Sequence, residues 1–336
     1  MNLALNLERL ARSEALAPAD IDAAFAVIMN GDAAHEDIKR FLNLTQPYMR
    51  DPAWIAGGAR ALRSRMVRVN APEHAIDVCG TGGDGAHTLN ISTAVAFVVA
   101  GCGVIVAKHG NRAMSSKSGA ADVLEALGVK LTGDAPTLER CLREARLTFL
   151  FAQNHHPAMR HVALARRELG KRTIFNLLGP LSNPASVKRQ LVGVFSAAYA
   201  EPMARALEAL GCEKALVVHG AGGLDELSAA GKDTNHVAAL ENGAITVQLA
   251  TATAEVHSDL RGGSASENAE EMRALLNGAG RPRHRAAVLI NAAAALYVAG
   301  HSPSVVAAHQ AAIQSIDSGA AHEALQRLVD VSRSAP

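Results

Sequence analysis

The hydrophobic pattern of this chain changes period once, near residue 70, and that change limits what the chain can fold into. Up to residue 66 every apolar segment has helical spacing: residues 3–12, 21–29, 38–44 and 54–66. Pro18-Ala19-Asp20 and Asp51-Pro52 have the composition of helix entrances. From about residue 74, short β-branched runs at 75–79, 104–107, 148–152, 191–195 and 215–218 alternate with helical stretches at 118–127, 136–145, 159–169 and 202–210. Strand alternating with helix predicts a parallel sheet covered on both faces. Residues 236–240 and 244–249 flank Glu241-Asn242-Gly243, an antiparallel hairpin signal with Asn-Gly at its turn. From residue 267 onward the spacing is helical again. The expected class is α/β: a small all-helical N-terminal domain, then a large domain with a mainly parallel central sheet, flanking helices and one antiparallel hairpin.

Composition narrows the function. A net charge of +1, from 33 basic and 32 acidic residues, gives no electrostatic reason for a nucleic acid or membrane partner. Aromatic residues at 3% leave little for base stacking. The apolar runs 94–107 and 286–300 are shorter than the roughly 18 residues a membrane span needs. Residues 1–12 mix Leu with Asn, Glu and Arg, unlike a secretory signal, so a soluble, cytoplasmic protein is expected. Cys79, Cys102, Cys141 and Cys212 lie in or beside apolar stretches without C-x-x-C spacing, as buried thiols do.

In an open parallel sheet, ligands bind beyond the carboxyl ends of the strands. Polar and glycine-rich stretches fall at three such ends. Gly80-Thr81-Gly82-Gly83-Asp84 follows one predicted strand and precedes Asn90-Ile91-Ser92-Thr93 at a helix entrance. Glycines there let backbone N–H groups approach an anion, which the helix dipole also favours. An acidic residue inside such a loop would repel a phosphate unless a metal or sugar hydroxyl lies between them. Asn90 or Ser92 could equally cap the helix. The second stretch, residues 108–119, carries three cations, three serines and two glycines, a second phosphate cradle or a solvated loop. The third, residues 219–226, ends in Asp225-Glu226, a pair suited to Mg²⁺ beside substrate phosphate. His155-His156 lacks a partner set for zinc and reads as a cap or pocket wall. Arg166 or Arg167 could meet a substrate carboxylate.

Taken together, these motifs, with Asp122-Val123-Leu124-Glu125-Ala126-Leu127-Gly128, Phe175-Asn176-Leu177-Leu178-Gly179-Pro180-Leu181 and Gly223-Leu224-Asp225-Glu226, make the chain resemble the anthranilate phosphoribosyltransferases of tryptophan biosynthesis. The match runs in order from about residue 74 to the C-terminus; residues 45–50 depart from the family's usual glycine- and lysine-containing connection. The resemblance implies that anthranilate attacks C1 of 5-phosphoribosyl 1-diphosphate (PRPP), releasing diphosphate, with Mg²⁺. It implies a helical domain over 1–68, joined by part of 165–190, an α/β domain over 74–336, and a homodimer assembled through the helical domain. Carried over by motif, PRPP would be held by Gly80, Gly83, Asp84, Thr88, Asn90, Ile91, Ser92 and Thr93, by the loop Lys108, His109, Gly110, Asn111, Arg112, Ala113, Met114, Ser115 and Ser116, and by Ala120. Anthranilate would meet Gly80, His109, Asn111, Arg166 and Pro180; metals would meet Ser92, Asp225 and Glu226. Lys108 and Arg112 would act electrostatically on the leaving diphosphate, with no dedicated general base and no covalent enzyme intermediate. Many relatives carry Ser where this chain has Ala120, so one hydroxyl contact to diphosphate is missing, a loss of about 1 kcal/mol. Two alternatives share the architecture. A pyrimidine nucleoside phosphorylase fits the acidic, hydroxyl-rich loops poorly, because phosphate is its co-substrate. A nucleic-acid-binding relative would show a basic groove, and only Arg281-Pro282-Arg283-His284-Arg285 is densely basic.

Overall fold

The computed structural model describes residues 3–113, 117–231, 234–249 and 258–334. A seven-stranded sheet runs in the order β3-β2-β1-β4-β5-β6-β7. Its strands are β1 (Ile76–Gly80), β2 (Val106–Gly110), β3 (Leu147–Phe151), β4 (Arg189–Gly193), β5 (Lys214–His219), β6 (His236–Glu241) and β7 (Ala244–Gln248). β1 to β5 pair in parallel; β6 and β7 are antiparallel additions at one edge. The hairpin turn falls on Asn242 and Gly243, with φ of 51° and 73°, the two positive values that a tight hairpin with right-handed twist requires.

Both faces of β1 to β5 are buried, while the edge strand β7 is mostly exposed, and the side chains divide between the faces by the two-residue period of a strand. Ile76, Val78, Leu191, Leu216 and Val218 face the helices Ile91–Gly101, Ala265–Leu276 and Pro282–Ala299 in one apolar cluster. Val192, Val194, Ala215 and Val217 face the other way, toward the helix Ala200–Ala209 and the N-terminal helices. The N-terminal helices follow the predicted entrances. Pro18 begins Pro18–Asn30, and Asp51 caps Pro52–Arg63 by accepting the Ala53 N–H at 2.8 Å. Their core, centred on Phe25, Phe41 and Trp54, also takes in Val162, Ala165, Ile174, Phe175 and Leu178. The four cysteines are free. No helix among the described residues is long and apolar enough to cross a membrane.

Two features of the sheet position the site. Chain order reverses between β1 and β4, so the connections leave these neighbours in opposite directions and open a crevice beyond their carboxyl ends. In that crevice Gly80 of β1 lies in register with Gly193 of β4. The second feature corrects a sequence expectation. Lys108 and His109 are not loop residues: β2 begins and ends later than residues 104–107 and runs to Gly110. Its pairing with β3 is continuous to Gly110, and the His109 N–H donates to the buried Asp77 carboxylate at 3.0 Å. Two polar residues thus stay in a strand because a buried acceptor waits beside them.

Candidate active site

The loop after β1 needs glycine at three places: Gly82, Gly83 and Gly85 have φ of 64°, 71° and 79°, conformations that side chains resist. Its bonds run to acidic side chains. Gly82 N–H donates to Asp225 Oδ2 at 2.7 Å, and Ala86 N–H donates to Asp84 Oδ1 at 3.0 Å. The helix Ile91–Gly101 begins behind it. Asn90 occupies the cap position without a side-chain cap bond. Its amide is engaged elsewhere: Asn268 Nδ2 donates to Asn90 Oδ1 at 2.9 Å, and Asn90 Nδ2 donates to the Ser118 carbonyl at 3.4 Å. The helix N-terminus is therefore not closed by its own cap, as an anion site requires.

From β2 the Lys108 ammonium reaches under this loop, donating to the Val78 carbonyl at 2.6 Å and to Ser92 Oγ at 3.2 Å. Burial pushes its pKa below the ordinary lysine range, while Asp77 opposes that shift. The His109 imidazole is buried and its pKa well depressed, first by burial and then by His156. Its Nδ1 lies 3.1 Å from the Gly179 carbonyl, an acceptor only, so Nδ1 carries the proton. Nε2 then accepts from His156 Nε2–H at 3.2 Å. Burial holds His156 down at about 4, so both rings are neutral near pH 7. Arg112 lies farther out, paired with Asp122 at 2.6 Å and Glu125 at 2.7 Å.

The loop after β5 brings Asp225 and Glu226 to Asp84, with a carboxylate oxygen from each within 4.8 Å of the others. Burial first, and the Asp84 charge second, push Asp225 up to about 7; burial and Asp225 raise Glu226 well above the usual range. Glu226 Oε2 is buried and has no hydrogen-bond partner among the described residues. Three converging carboxylates, with a buried oxygen of Glu226 left unsatisfied, are the kind of donor set that suits a hard divalent cation. The loop comes this close because Gly80 and Gly193 lack side chains. A Cβ on Gly80 would lie 2.5 Å from Asp225 Oδ2, and one on Gly193 only 1.4 Å from the Asp225 carbonyl oxygen.

These groups line one cavity of about 430 Å³. It gathers Gly80, Gly83, Asp84, Thr88, Asn90, Ser92 and Thr93 from the end of β1, its loop and the helix start behind it, and Lys108 to Ala113 with Ala120 from the end of β2 and the stretch that follows. Asp225 and Glu226 form its floor, while Arg166, Phe175, Met159 and Pro180 close it from the helical side. The Arg166 guanidinium lies 5.9 Å from the Phe175 ring centre, and burial lowers its pKa. Ile91 does not line the cavity; its side chain is fully buried in the apolar core. Met114, Ser115 and Ser116 lie outside the described residues. Sequence reasoning missed Gly193 and Asn268. The buried Asn268 also donates to Ser118 Oγ at 2.9 Å and accepts from Gly263 N–H at 2.7 Å, joining three loops at the cavity's edge. Its one signal was a polar residue on the apolar face of a helix.

The glycosyl transferase family α/β-domain model matches residues 72–322. Over 335 residues, the chain is 49% identical to the anthranilate phosphoribosyltransferase of Brucella suis biovar 1 (strain 1330), covering 98% of each chain. The chain belongs to the anthranilate phosphoribosyltransferase family. Its fold matches that of the Thermus thermophilus member with a TM-score of 0.90 and 38% identity, covering 98% of this chain and 99% of that one. The Saccharomyces cerevisiae member, solved in complex with PRPP and Mg, matches with a TM-score of 0.88 and 26% identity over 99% and 98%. The basic cluster that a nucleic-acid-binding relative would need is neutralised here: Arg281 meets Glu271, Arg283 meets Asp259 and Arg285 meets Asp317.

Proposed function

We propose that this enzyme transfers the 5-phosphoribosyl group of PRPP to the amine of anthranilate, releasing diphosphate, in the second step of tryptophan synthesis from chorismate. The observation that carries the reading is the convergence of Asp84, Asp225 and Glu226 on the same crevice as the glycine-rich loop, the uncapped helix start and Lys108. Asp225 and Glu226, with Ser92 nearby, would hold Mg²⁺, which when bound neutralises charge on the departing diphosphate.

The chain's own residues supply the remainder. PRPP would lie along Gly80 to Thr93 and Lys108 to Ala113. Lys108 commits two of its three ammonium donors to Val78 and Ser92, which fixes the position of a positive charge beside the leaving group. Arg112 stands at the rim, where it would act on the diphosphate only by exchanging its Asp122 and Glu125 partners for it. Anthranilate would enter from the helical side, its carboxylate toward Arg166 and its ring between Pro180 and Phe175. Its amine is already a nucleophile. His109 has Nδ1 and Nε2 both engaged, so it orients the ring's surroundings and is not set up to take a proton. The domains would be 1–68 with part of 165–190, which share one apolar core, and 74–336. A homodimer would assemble through the helical unit, where Leu5 is an exposed large apolar residue.

Loss of anthranilate fluorescence on adding PRPP and Mg²⁺ tests the reaction. The wild type should consume anthranilate, and the Asp225→Ala/Glu226→Ala double variant should not. Retained activity in that variant, or thymidine phosphorolysis in place of transfer, would overturn the reading. The same preparation should sediment at twice the 35.0 kDa of one chain.

A further inference from the structure

The tip of the glycine-rich loop, Gly82 to Gly85, has three left-handed glycines and would be costly to order by itself. Inside the crevice it is tied through Asp225, which accepts the Gly82 N–H, and through Asp84, which accepts from Ala86 and, at 3.4 Å, from the Asp225 N–H. Those carboxylates belong to the trio that would hold the metal, so a bound cation competes for the same oxygens. One tie uses no such group. From the opposite wall, Arg172 donates Nη2–H to the Gly83 carbonyl.

Arg172 is itself held at two further points. Its guanidinium stacks 4.2 Å from the Phe195 ring centre, just beyond the end of β4. Its own carbonyl accepts from Gln46 Nε2 at 3.1 Å, and the same amide nitrogen donates to the Leu42 carbonyl at 3.2 Å. The guanidinium makes no ion pair among the described residues, so nothing there draws it off the loop. Gln46 sits in the segment where this chain departs from its family's usual pattern.

We propose that Arg172 is a positioning residue: it clamps the glycine-rich loop to the helical layer and keeps the loop in its PRPP-receiving shape whether or not metal occupies the carboxylates. The inference rests on the loop being the PRPP cradle. Because Arg172 touches loop backbone and lies outside the cavity lining, its loss should affect PRPP alone. In Arg172→Ala the KM for PRPP should rise about tenfold, the usual effect of losing a charge-assisted hydrogen bond, with kcat nearly unchanged and the anthranilate KM unmoved. Hydrogen exchange of the peptide spanning 80–86 should accelerate by a similar factor with Mg²⁺ and without it. Arg172→Lys, which keeps a donor but loses the planar stack, should fall between. Gln46→Ala, which releases only the backbone anchor, should raise the PRPP KM about threefold. Equal rises in both KM values, unchanged exchange at 80–86, or exchange that accelerates only without Mg²⁺ would overturn the proposal. A wild-type enzyme that transfers no ribosyl group would instead overturn the function on which it rests.

Discussion

Gly193→Ala is the sharpest test of how the carboxylate site is built. A Cβ at this position would lie 1.4 Å from the Asp225 carbonyl oxygen and 2.4 Å from its carbon. Ordinary contact for such a pair is about 3.5 Å, so one backbone must move by about 2 Å. β4 cannot easily yield, because Gly193 pairs with Gly80 on one side and Val218 on the other. The Asp225 loop should move instead. That shift breaks the 2.7 Å bond from Gly82 N–H and disperses three carboxylates now within 4.8 Å. Overpacking of this kind costs about 1–3 kcal/mol, and a displacement of about 1 Å at a catalytic constellation costs about a hundredfold in rate. Thermal unfolding should show a lowered midpoint, and initial rates of anthranilate consumption should fall at least a hundredfold, with Mg²⁺ dependence pushed to higher concentration. A variant with unchanged midpoint, rate and Mg²⁺ dependence would refute the claim that close backbone approach at Gly193 sets the site.

Arg166→Ala should raise the anthranilate KM by about tenfold to a hundredfold while sparing the PRPP KM, since it removes a half-buried charge aimed at one substrate; equal losses for both substrates would refute that assignment. His156, held near 4 by burial against an ordinary 6.5, stays neutral in the fold. Its contribution to stability is full above pH 6.5 and is lost as pH falls toward 4, because the unfolded chain accepts a proton that the fold refuses. The thermal midpoint of the wild type should therefore drop more steeply over that window than that of His156→Gln, which keeps a donor for His109; parallel curves would contradict neutral burial.

Much of this architecture was legible in the residues because it rests on local signals. The change from helical to alternating period near residue 70, Pro at two helix starts and Asn-Gly at the hairpin each have a mechanism within a few residues. The three loops were legible because glycines, cations and acids gathered at strand ends. What escaped depends on contacts between distant segments. Nothing near Lys108 and His109 signals strand; the buried Asp77, 32 residues earlier, makes it so. Gly193 reads locally as a weak spot in a β-branched run, and only the arrival of Asp225 explains it. Asn268 gains its meaning from Asn90, 178 residues away.

Asp84 was the anomaly of the sequence, an acid where a phosphate loop should be neutral or basic. The structure places it beside two more carboxylates, with one buried ammonium, Lys108, among the nearby charges. Three carboxyl groups beside one ammonium make the floor of the crevice a poor seat for a bare phosphate, even with burial favouring their protonated forms. Burial first, and repulsion among the carboxylates second, raise the pKa values of Asp225 and Glu226. On the proposed function this is an advantage. A substrate whose diphosphate arrives with divalent cations is drawn to such a floor, whereas inorganic phosphate alone is not. On that function, the acidic loop would discriminate against simple phosphorolysis by charge, before any contact with the nucleophile is made.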